Sequence, residues 1–270
     1  MQLMQRITVI AFASAMLLGA LGGAAYAQAP IKIGASMSTT GPLAAVGQNQ
    51  LRGYQLCVKQ ANEKGGVLGR KLELVFYDDA SAPSTAVVLY EKLITQDKVD
   101  LVLGPSTTPI TDAVANVTEK HKMPMVASNS SGTSIYRKGR KFIFSMNPPA
   151  EVQLEGLIDL AARKGLKTLA LLNPDNLFGR AMTQGAIELA KKKGLQVVLV
   201  DAYPDGSTDF STILAKVQAA NPDVPGVATR YEDAVAITRQ MKALNLNPKM
   251  TGLTVGVDLP KFHEALGRDL

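Results

Sequence analysis

The sequence predicts an α/β fold with two lobes, each a doubly wound parallel sheet. Three observations carry this prediction: short apolar runs that do not alternate, helical periods between them, and a proline pair near the middle of the chain. Non-alternating apolar runs are typical of strands that are buried on both faces, as in parallel sheets. Their regular alternation with helices indicates βαβ winding.

Eight segments have the composition of such strands. Each is short, mainly aliphatic or aromatic, and bounded by glycine, proline or polar residues. In chain order the predicted strands are residues 31–35, 72–77, 99–103, 124–127, 142–145, 168–172, 196–200 and 224–228.

Helical periods separate these strands. The apolar residues of segments 154–161 and 210–217 follow the i, i+3, i+4, i+7 spacing of one helix face. Glycines at positions 65, 66, 165 and 194 are expected to end helices before the next strand.

The pair Pro148-Pro149 interrupts the pattern. Two prolines cannot occupy a central strand, so this segment is predicted to be a crossover or hinge, followed by a helix from about Ala150. We therefore expect an N-terminal lobe over residues 28–147 and a C-terminal lobe over residues 148–270.

Residues 1–27 predict an export signal. Arg6 precedes an uncharged run, and Ala25-Tyr26-Ala27 offers the small residues that a signal peptidase requires, so we expect cleavage after Ala27. An uncleaved membrane anchor is the alternative, but Gly19 and many alanines make a weak span. The mature chain is expected to be soluble and periplasmic, with a net charge one below the +6 of the full sequence.

Composition argues against several classes of protein. The basic runs 137–141 and 191–193 lack interleaved aromatic residues, so no nucleic-acid partner is predicted, and both are expected to be solvated. Cys57, the single cysteine, cannot form an internal disulfide and is expected to pack on a helix. No phosphate loop, dinucleotide fingerprint or zinc spacing occurs, so no cofactor or metal is predicted.

An exported α/β enzyme such as a hydrolase is the rival class. It would need a G-x-S-x-G motif and a histidine base, and the motif is absent, while His121 and His263 carry no catalytic signal. Asp78-Asp79 follows a strand and could serve acid/base chemistry, but no other motif supports it. We predict no catalytic residue. The sensing domain of a receptor is a second alternative, because it can share the fold.

Three strand ends of the N-terminal lobe are rich in hydroxyl groups, at residues 36–42, 104–108 and 128–132. Ligands of open parallel sheets bind beyond the carboxyl ends of the strands, and hydroxyl and amide donors there suit a carboxylate. Such residues are also ordinary helix caps, which would explain any one loop. Together the three loops predict a polar cleft.

Several motifs resemble the leucine/isoleucine/valine-binding protein family, the type I periplasmic solute-binding proteins of ABC transporters. They are IKIG at 31–34, TGPLAA at 40–45, GGVLGRKLEL at 65–74, DD at 78–79, LITQDKVD at 93–100 and DFS at 209–211. The resemblance runs from about residue 31 to 262, and the stretch 65–74 is its most specific part.

The resemblance implies a monomeric protein whose two lobes close over a small-molecule solute and present it to a membrane permease. Members of the family usually continue beyond the last segment matched here. The chain is therefore expected to be truncated, with the C-terminal part of the fold missing.

The resemblance also implies ligand-binding residues in the N-terminal lobe. Thr108, Ser131 and either Asn129 or Ser130 match the positions that hold the head group of the solute, and Thr107 lies beside them.

Four further positions are implied as site residues. Phe178 matches a position usually held by tyrosine, Arg230 stands where another tyrosine is frequent, and Val46 falls where an aromatic lid residue is common. Thr254 is the only polar residue where members that bind amino acids carry an acid for the α-ammonium group.

The missing acid weakens the prediction of an amino acid, because charge pairing is the main force that holds an ammonium group. Arg230 could instead clamp an anion and Phe178 offer an apolar face, unless Arg230 pairs with Glu232 or Asp233 at the surface. The expected solute bears a carboxylate and is either similar to a branched-chain amino acid or an aromatic or aliphatic acid.

Export should leave Gln28 as the first residue of the mature protein, since cleavage is expected directly after Ala27. N-terminal sequencing of exported material tests this. Membrane-bound protein that retains Met1 would contradict it.

Overall fold

Five parallel strands form the first of two sheets in the computed structural model, which describes residues 28–267. The expected cleavage site after Ala27 lies outside the described residues. The sheet has the order β2-β1-β3-β4-β5, so β1 lies between β2 and β3, with Ile31 opposite Leu72 and Ile33 opposite Leu101. Its strands are β1 (Ile31–Met37), β2 (Leu72–Asp78), β3 (Leu101–Leu103), β4 (Met125–Ala127) and β5 (Ile143–Ser145).

Four parallel strands form the second sheet, in the order β7-β6-β8-β9. All eight strands predicted from composition are present, which confirms the α/β class with two parallel sheets. The structure also contains the two-residue strand β9, which was not predicted because two residues are too few to show a periodic pattern. The strands are β6 (Thr168–Pro174), β7 (Gln196–Tyr203), β8 (Val224–Val227) and β9 (Gly252–Leu253).

Helices connect successive strands. The first sheet and its helices, up to residue 147, are called the first lobe, and the residues after 147 are called the second lobe. Within residues 28–267, no helix is both long and apolar enough to cross a bilayer. The helices are α1 (Ala44–Glu63), α2 (Pro83–Thr95), α3 (Thr108–His121), α4 (Glu155–Arg163), α5 (Leu177–Lys192), α6 (Ser211–Ala220), α7 (Tyr231–Ala243) and α8 (Pro260–Leu266).

The connection between the lobes differs from expectation. The helix expected from Ala150 begins only at Glu155, and a 3-10 turn over Ala150–Val152 precedes it. Pro149 is extended at φ −54° and ψ 142°, as a proline that interrupts regular structure should be. The glycines expected to end helices, at 65, 66, 165 and 194, all have positive φ.

The predicted faces of the helices are buried, but the outer strands are less buried than the central ones. Ile158 and Val217, on the predicted faces of α4 and α6, are buried. The outer strands β2 and β7 are only partly covered, with Phe76 39% and Val200 48% exposed. The outer strand β5 is exposed as well, with Phe144 53% exposed, so the prediction of burial on both faces is wrong for the outer strands.

The carboxylate of Asp79 joins the ends of β1 and β2. It is fully buried and accepts hydrogen bonds from Ser36 Oγ at 2.7 Å and Ser38 Oγ at 2.6 Å. Asp78 accepts one from Thr40 Oγ1 at 2.7 Å. The acidic pair is thus structural, and the hydroxyls of loop 36–42 are directed to it. The expectation that all three loops supply donors to a cleft is wrong for this loop.

Two predictions concern the surface, and the structure agrees with the one for the basic run but not with the one for Cys57. Lys138, in the basic run 137–141, is partly exposed and pairs with Asp112 at 2.8 Å, as expected of a solvated run. Cys57 lies on α1 but is exposed, contrary to the expectation that it packs as an apolar residue. The periodicity of α1 places it on the solvent side.

Thr107 has an unusual backbone conformation directly before α3, with φ 72° and ψ 154°. This region is almost confined to glycine, and a side chain there costs about 1–3 kcal/mol. Neighbouring contacts hold it in place: its N–H donates to the carbonyl of Asn129 at 3.0 Å, and its carbonyl accepts from Thr111 N at 3.1 Å and Oγ1 at 2.8 Å.

Replacing Thr107 with glycine should stabilise the protein. Relief of about 1–3 kcal/mol of strain exceeds the roughly 0.5–1 kcal/mol entropic cost of glycine, so the free energy of unfolding should rise by about 1 kcal/mol. Urea denaturation measures this. Thr208→Gly is the control, because Thr208 is an exposed loop residue without a positive φ and its replacement should destabilise. Equal losses in both variants would contradict the strain.

Candidate ligand-binding site

A cavity of about 130 Å³ lies where the carboxyl ends of the two sheets face each other. Loops after β3, β4 and β5 border it from the first lobe, and loops after β6, β8 and β9 border it from the second. Seven of the nine predicted site residues line it, and Ser130 and Thr254 do not. The lining residues are Val46, Thr107, Thr108, Asn129, Ser131, Asn147, Gln153, Phe178, Arg230 and Val255.

Thr108 is the first residue of α3, and its side chain is held by the loop after β4. Its Oγ1 accepts a hydrogen bond from Gly132 N at 3.2 Å. A Cβ on Gly132 would lie 2.7 Å from Thr108 Cγ2, so only glycine lets the two loops approach this closely. Because Oγ1 is engaged as an acceptor, the hydroxyl hydrogen is available for donation.

Ser131 repeats this arrangement on the neighbouring loop. Its Oγ lies 3.2 Å from Gln153 Nε2, which donates to it, and its carbonyl accepts from Ala150 N at 2.8 Å. Both contacts come from the crossover between the lobes. Thr108 is 1% and Ser131 5% exposed, so the cavity has two buried O–H groups whose oxygens are already bonded and whose hydrogens are not.

Asn129, and not Ser130, lies on the cavity wall. Asn129 Nδ2 donates to Gln50 Oε1 at 3.2 Å, which fixes the amide. The Ser130 side chain is buried away from the cavity, and its carbonyl accepts from Tyr136 OH at 2.7 Å. The structure therefore separates two positions that the sequence could not distinguish.

Arg230 reaches the cavity from the second lobe, directly before α7, but it is paired. Both of its terminal nitrogens bind the carboxylate of Asp205, with Nη2 3.1 Å from Oδ2 and Nη1 on Oδ1, and the side chain is 12% exposed. The expected surface partners do not bind the guanidinium; Asp233 instead accepts from Arg230 N at 3.2 Å.

A chain of hydrogen bonds links Arg230 to the helix that carries Phe178. Asp205 also accepts from Asn176 Nδ2 at 2.9 Å, and Asn176 Oδ1 caps α5 by accepting from Gly179 N at 2.9 Å. Phe178 lies in the first turn of α5 and packs partly against the core of the second lobe. A single hydrogen-bond network thus positions Phe178 and Arg230, the two predicted site residues of this lobe that line the cavity.

The ion pair between Arg230 and Asp205 persists through neutral pH. Burial alone would raise the pKa of Asp205, but the hydrogen bonds and charge of Arg230 outweigh it, so this pKa lies below its usual value. Burial would lower the pKa of Arg230, and Asp205 more than offsets this, so that pKa is raised. Arg230 therefore brings no unbalanced charge to the cavity, although only part of its N–H donors are used.

Thr254 is directed to its neighbour strand and not to the cavity. Its Oγ1 accepts from Thr229 N at 3.0 Å, and its N–H donates to Thr229 Oγ1 at 3.1 Å. The reciprocal bonds join the ends of β8 and β9. Val255 lines the cavity in its place, so the implied role of Thr254 as a polar cavity residue is not met by this geometry.

Asn147, Gln153 and Val255 line the cavity without having been predicted. Asn147 and Gln153 lie on either side of the proline pair. The sequence could have indicated them as site residues, because a crossover between two lobes has to pass the cleft between them. Val255 follows the two-residue strand β9, and no sequence pattern marks it. No group of three or more His, Cys, Asp or Glu among residues 28–267 is placed to hold a metal ion.

Comparison with known proteins agrees with this architecture. The family model for periplasmic binding proteins matches residues 30–270. The Leu/Ile/Val-binding protein homolog 7 of Brucella melitensis is 27% identical over 260 residues, which cover 93% of this chain and 65% of the relative. The chain thus spans less than two thirds of the length of that relative.

Two solved structures share the fold. The branched-chain amino acid transporter substrate-binding protein LivJ of Streptococcus pneumoniae, in complex with isoleucine, has a TM-score of 0.78 at 25% identity, over 87% of this chain and 67% of that one. A solute-binding protein of an ABC transporter from R. palustris, in complex with 4-hydroxybenzoate, has a TM-score of 0.77 at 24% identity, over 87% and 66%. Because the family model covers most of the sequence, the chain belongs to the periplasmic binding protein family.

Proposed function

We propose that this chain is the exported, monomeric solute-binding component of an ABC importer, and that it holds a small carboxylate-bearing solute in the cavity between its lobes. A membrane permease would receive the solute. Membership of the periplasmic binding protein family supports the general role. The proposed location of the binding site is supported by the seven predicted residues that line one cavity.

The two buried O–H groups of Thr108 and Ser131 carry this proposal. Each hydroxyl oxygen already accepts a hydrogen bond from the protein, so each hydrogen is directed by default to a ligand. An ionised oxygen is the stronger acceptor, and its hydrogen bonds are roughly twice as strong as neutral ones. A carboxylate satisfies both donors at once, whereas an ammonium group, which only donates, satisfies neither.

The balance of charge favours a carboxylate without an amine. Among the described residues that line the cavity there is no aspartate or glutamate, and Asp205 is held by Arg230. An α-ammonium group would lose its hydration without gaining a negative partner. Phe178 offers an apolar face, which suits an aromatic or aliphatic acid.

A branched-chain amino acid is the second candidate. The observation that favours it is the similarity to proteins named for binding leucine, isoleucine and valine, at 27% identity. In this chain such a solute would rely on backbone carbonyls or on the outer edge of Asp205 for its ammonium group. Catalysis is not proposed, since Asp79 is bonded within the first lobe and His121 Nε2 lies 2.7 Å from Glu91.

Removal of either hydroxyl should weaken solute binding. Thr108→Ala and Ser131→Ala are each expected to lower the binding free energy by about 0.5–3 kcal/mol, as for a lost hydrogen bond to a charged group. Calorimetry with aromatic, aliphatic and amino acids measures this. Thr118→Ala is the matched control, because Thr118 is a buried threonine on the same helix whose hydroxyl donates to the carbonyl of Ala115 and which does not line the cavity. Unchanged affinity in both site variants would contradict the assignment.

The charge at Arg230 should control the class of solute. Asp205→Asn keeps an acceptor for Asn176 but removes the compensating charge, so carboxylates should bind several-fold more tightly. Arg230→Ala should weaken binding of dicarboxylates or aromatic acids more than that of neutral solutes. Asp175→Asn is the control, because Asp175 pairs with Arg180 at the exposed surface of the same lobe. Tight leucine binding that is indifferent to Arg230 would refute the preference.

A further inference from the structure

A second, larger compartment adjoins the cavity. It is a groove of about 420 Å³ that runs between α1 of the first lobe and the loop before α8 of the second. Val46, Asn129 and Val255 line both the cavity and the groove, so the two compartments are adjacent. A pocket for a small molecule typically measures about 300–1,000 Å³, which the groove reaches and the cavity alone does not.

The groove offers apolar walls from both lobes. Tyr54 and the bare backbone of Gly53 contribute from α1, and Tyr231 and Leu259 contribute from the second lobe. The loop before α8 approaches the backbone of Tyr231 closely, and this depends on Gly256. Gly256 has φ 96°, and a Cβ added there would lie 2.5 Å from Tyr231 Cα.

Three of the polar side chains that line the groove are bonded to each other, whereas the carboxylate of Asp258, which also lines it, is exposed to solvent. Gln50 Nε2 donates to Tyr54 OH at 2.9 Å and lies 3.1 Å from Ser128 Oγ, and Tyr54 OH is 2.5 Å from the same oxygen. The hydroxyl of Tyr231 donates to a carbonyl, that of Lys261, at 3.3 Å. Groups whose hydrogen bonds are satisfied within the protein require no polar ligand, so an apolar group can cover them at little cost.

We propose that the groove receives the tail of an elongated solute, whose carboxylate lies in the cavity and whose apolar chain or second ring lies between Tyr54 and Tyr231. This inference rests on the proposed function and adds the size of the substrate to it. A carboxylate with a long linear tail or a second ring would occupy both compartments.

Gly53 provides a steric test. It is exposed on α1, lines the groove but not the cavity, and has no atom within 4 Å of the position of a Cβ. Gly53→Phe should therefore fill the groove without straining the helix, since phenylalanine forms helices more readily than glycine. Gly156→Phe is the matched control, because Gly156 is an exposed glycine of α4 with equally open surroundings, outside both compartments.

The probes are three pairs that share a head group and differ in length: butanoate and decanoate, benzoate and biphenyl-4-carboxylate, and leucine and 2-aminodecanoate. Calorimetry should show that, in the pair whose head group binds, the wild-type protein prefers the long member at least tenfold. Gly53→Phe should remove that preference and leave the short member unchanged, and Gly156→Phe should alter neither.

Two results would overturn the inference and can be told apart. Equal affinity for short and long members, or a Gly53→Phe variant that binds both as the wild type does, would refute the groove as a tail site and leave the proposed carboxylate function intact. Absence of binding by every probe would refute the carboxylate function itself, and the tail site with it.

Discussion

The need of buried polar groups for hydrogen-bond partners fixes most of the side chains at the carboxyl ends of these strands, with the buried Ser130 Oγ as an exception. Unpaired, such a group costs about 1–3 kcal/mol, which is a large fraction of the stability of a domain. Ser36 and Ser38 meet the requirement on Asp79, and Thr254 meets it on Thr229. Thr108 and Ser131 are bonded only as acceptors, and this leaves their hydroxyl hydrogens available for donation to a ligand.

The same requirement explains what could be predicted from the sequence. The strands and helices follow from local periodicity, because parallel strands and amphipathic helices have patterns that a short window contains. The direction of a side chain after a strand depends on partners far away in the chain. Loop 36–42 has the composition of a binding loop, yet its serines are bonded to Asp79, 43 residues after Ser36. Composition cannot separate these two uses of a hydroxyl group.

Arg230 shows the same limit for charge. Glu232 and Asp233 are near in sequence and were the expected partners, but Asp233 binds the backbone N–H of Arg230, and the guanidinium binds Asp205. Asp205 is 25 residues distant and lies after β7, two strands from β8 in the order β7-β6-β8. Because the ends of parallel strands share one edge, loops far apart in sequence meet there. Sheet order, which the sequence alone leaves open, therefore sets the charge of the cavity.

The cavity that results is close to electrically neutral and carries a few polar groups among apolar walls. A carboxylate bound there as we propose, by hydroxyl groups and by the remaining N–H groups of a paired guanidinium, would gain less Coulomb energy than from an isolated arginine, and salt would weaken its binding less. Selectivity then depends on hydrogen-bond geometry and on the fit of the apolar part.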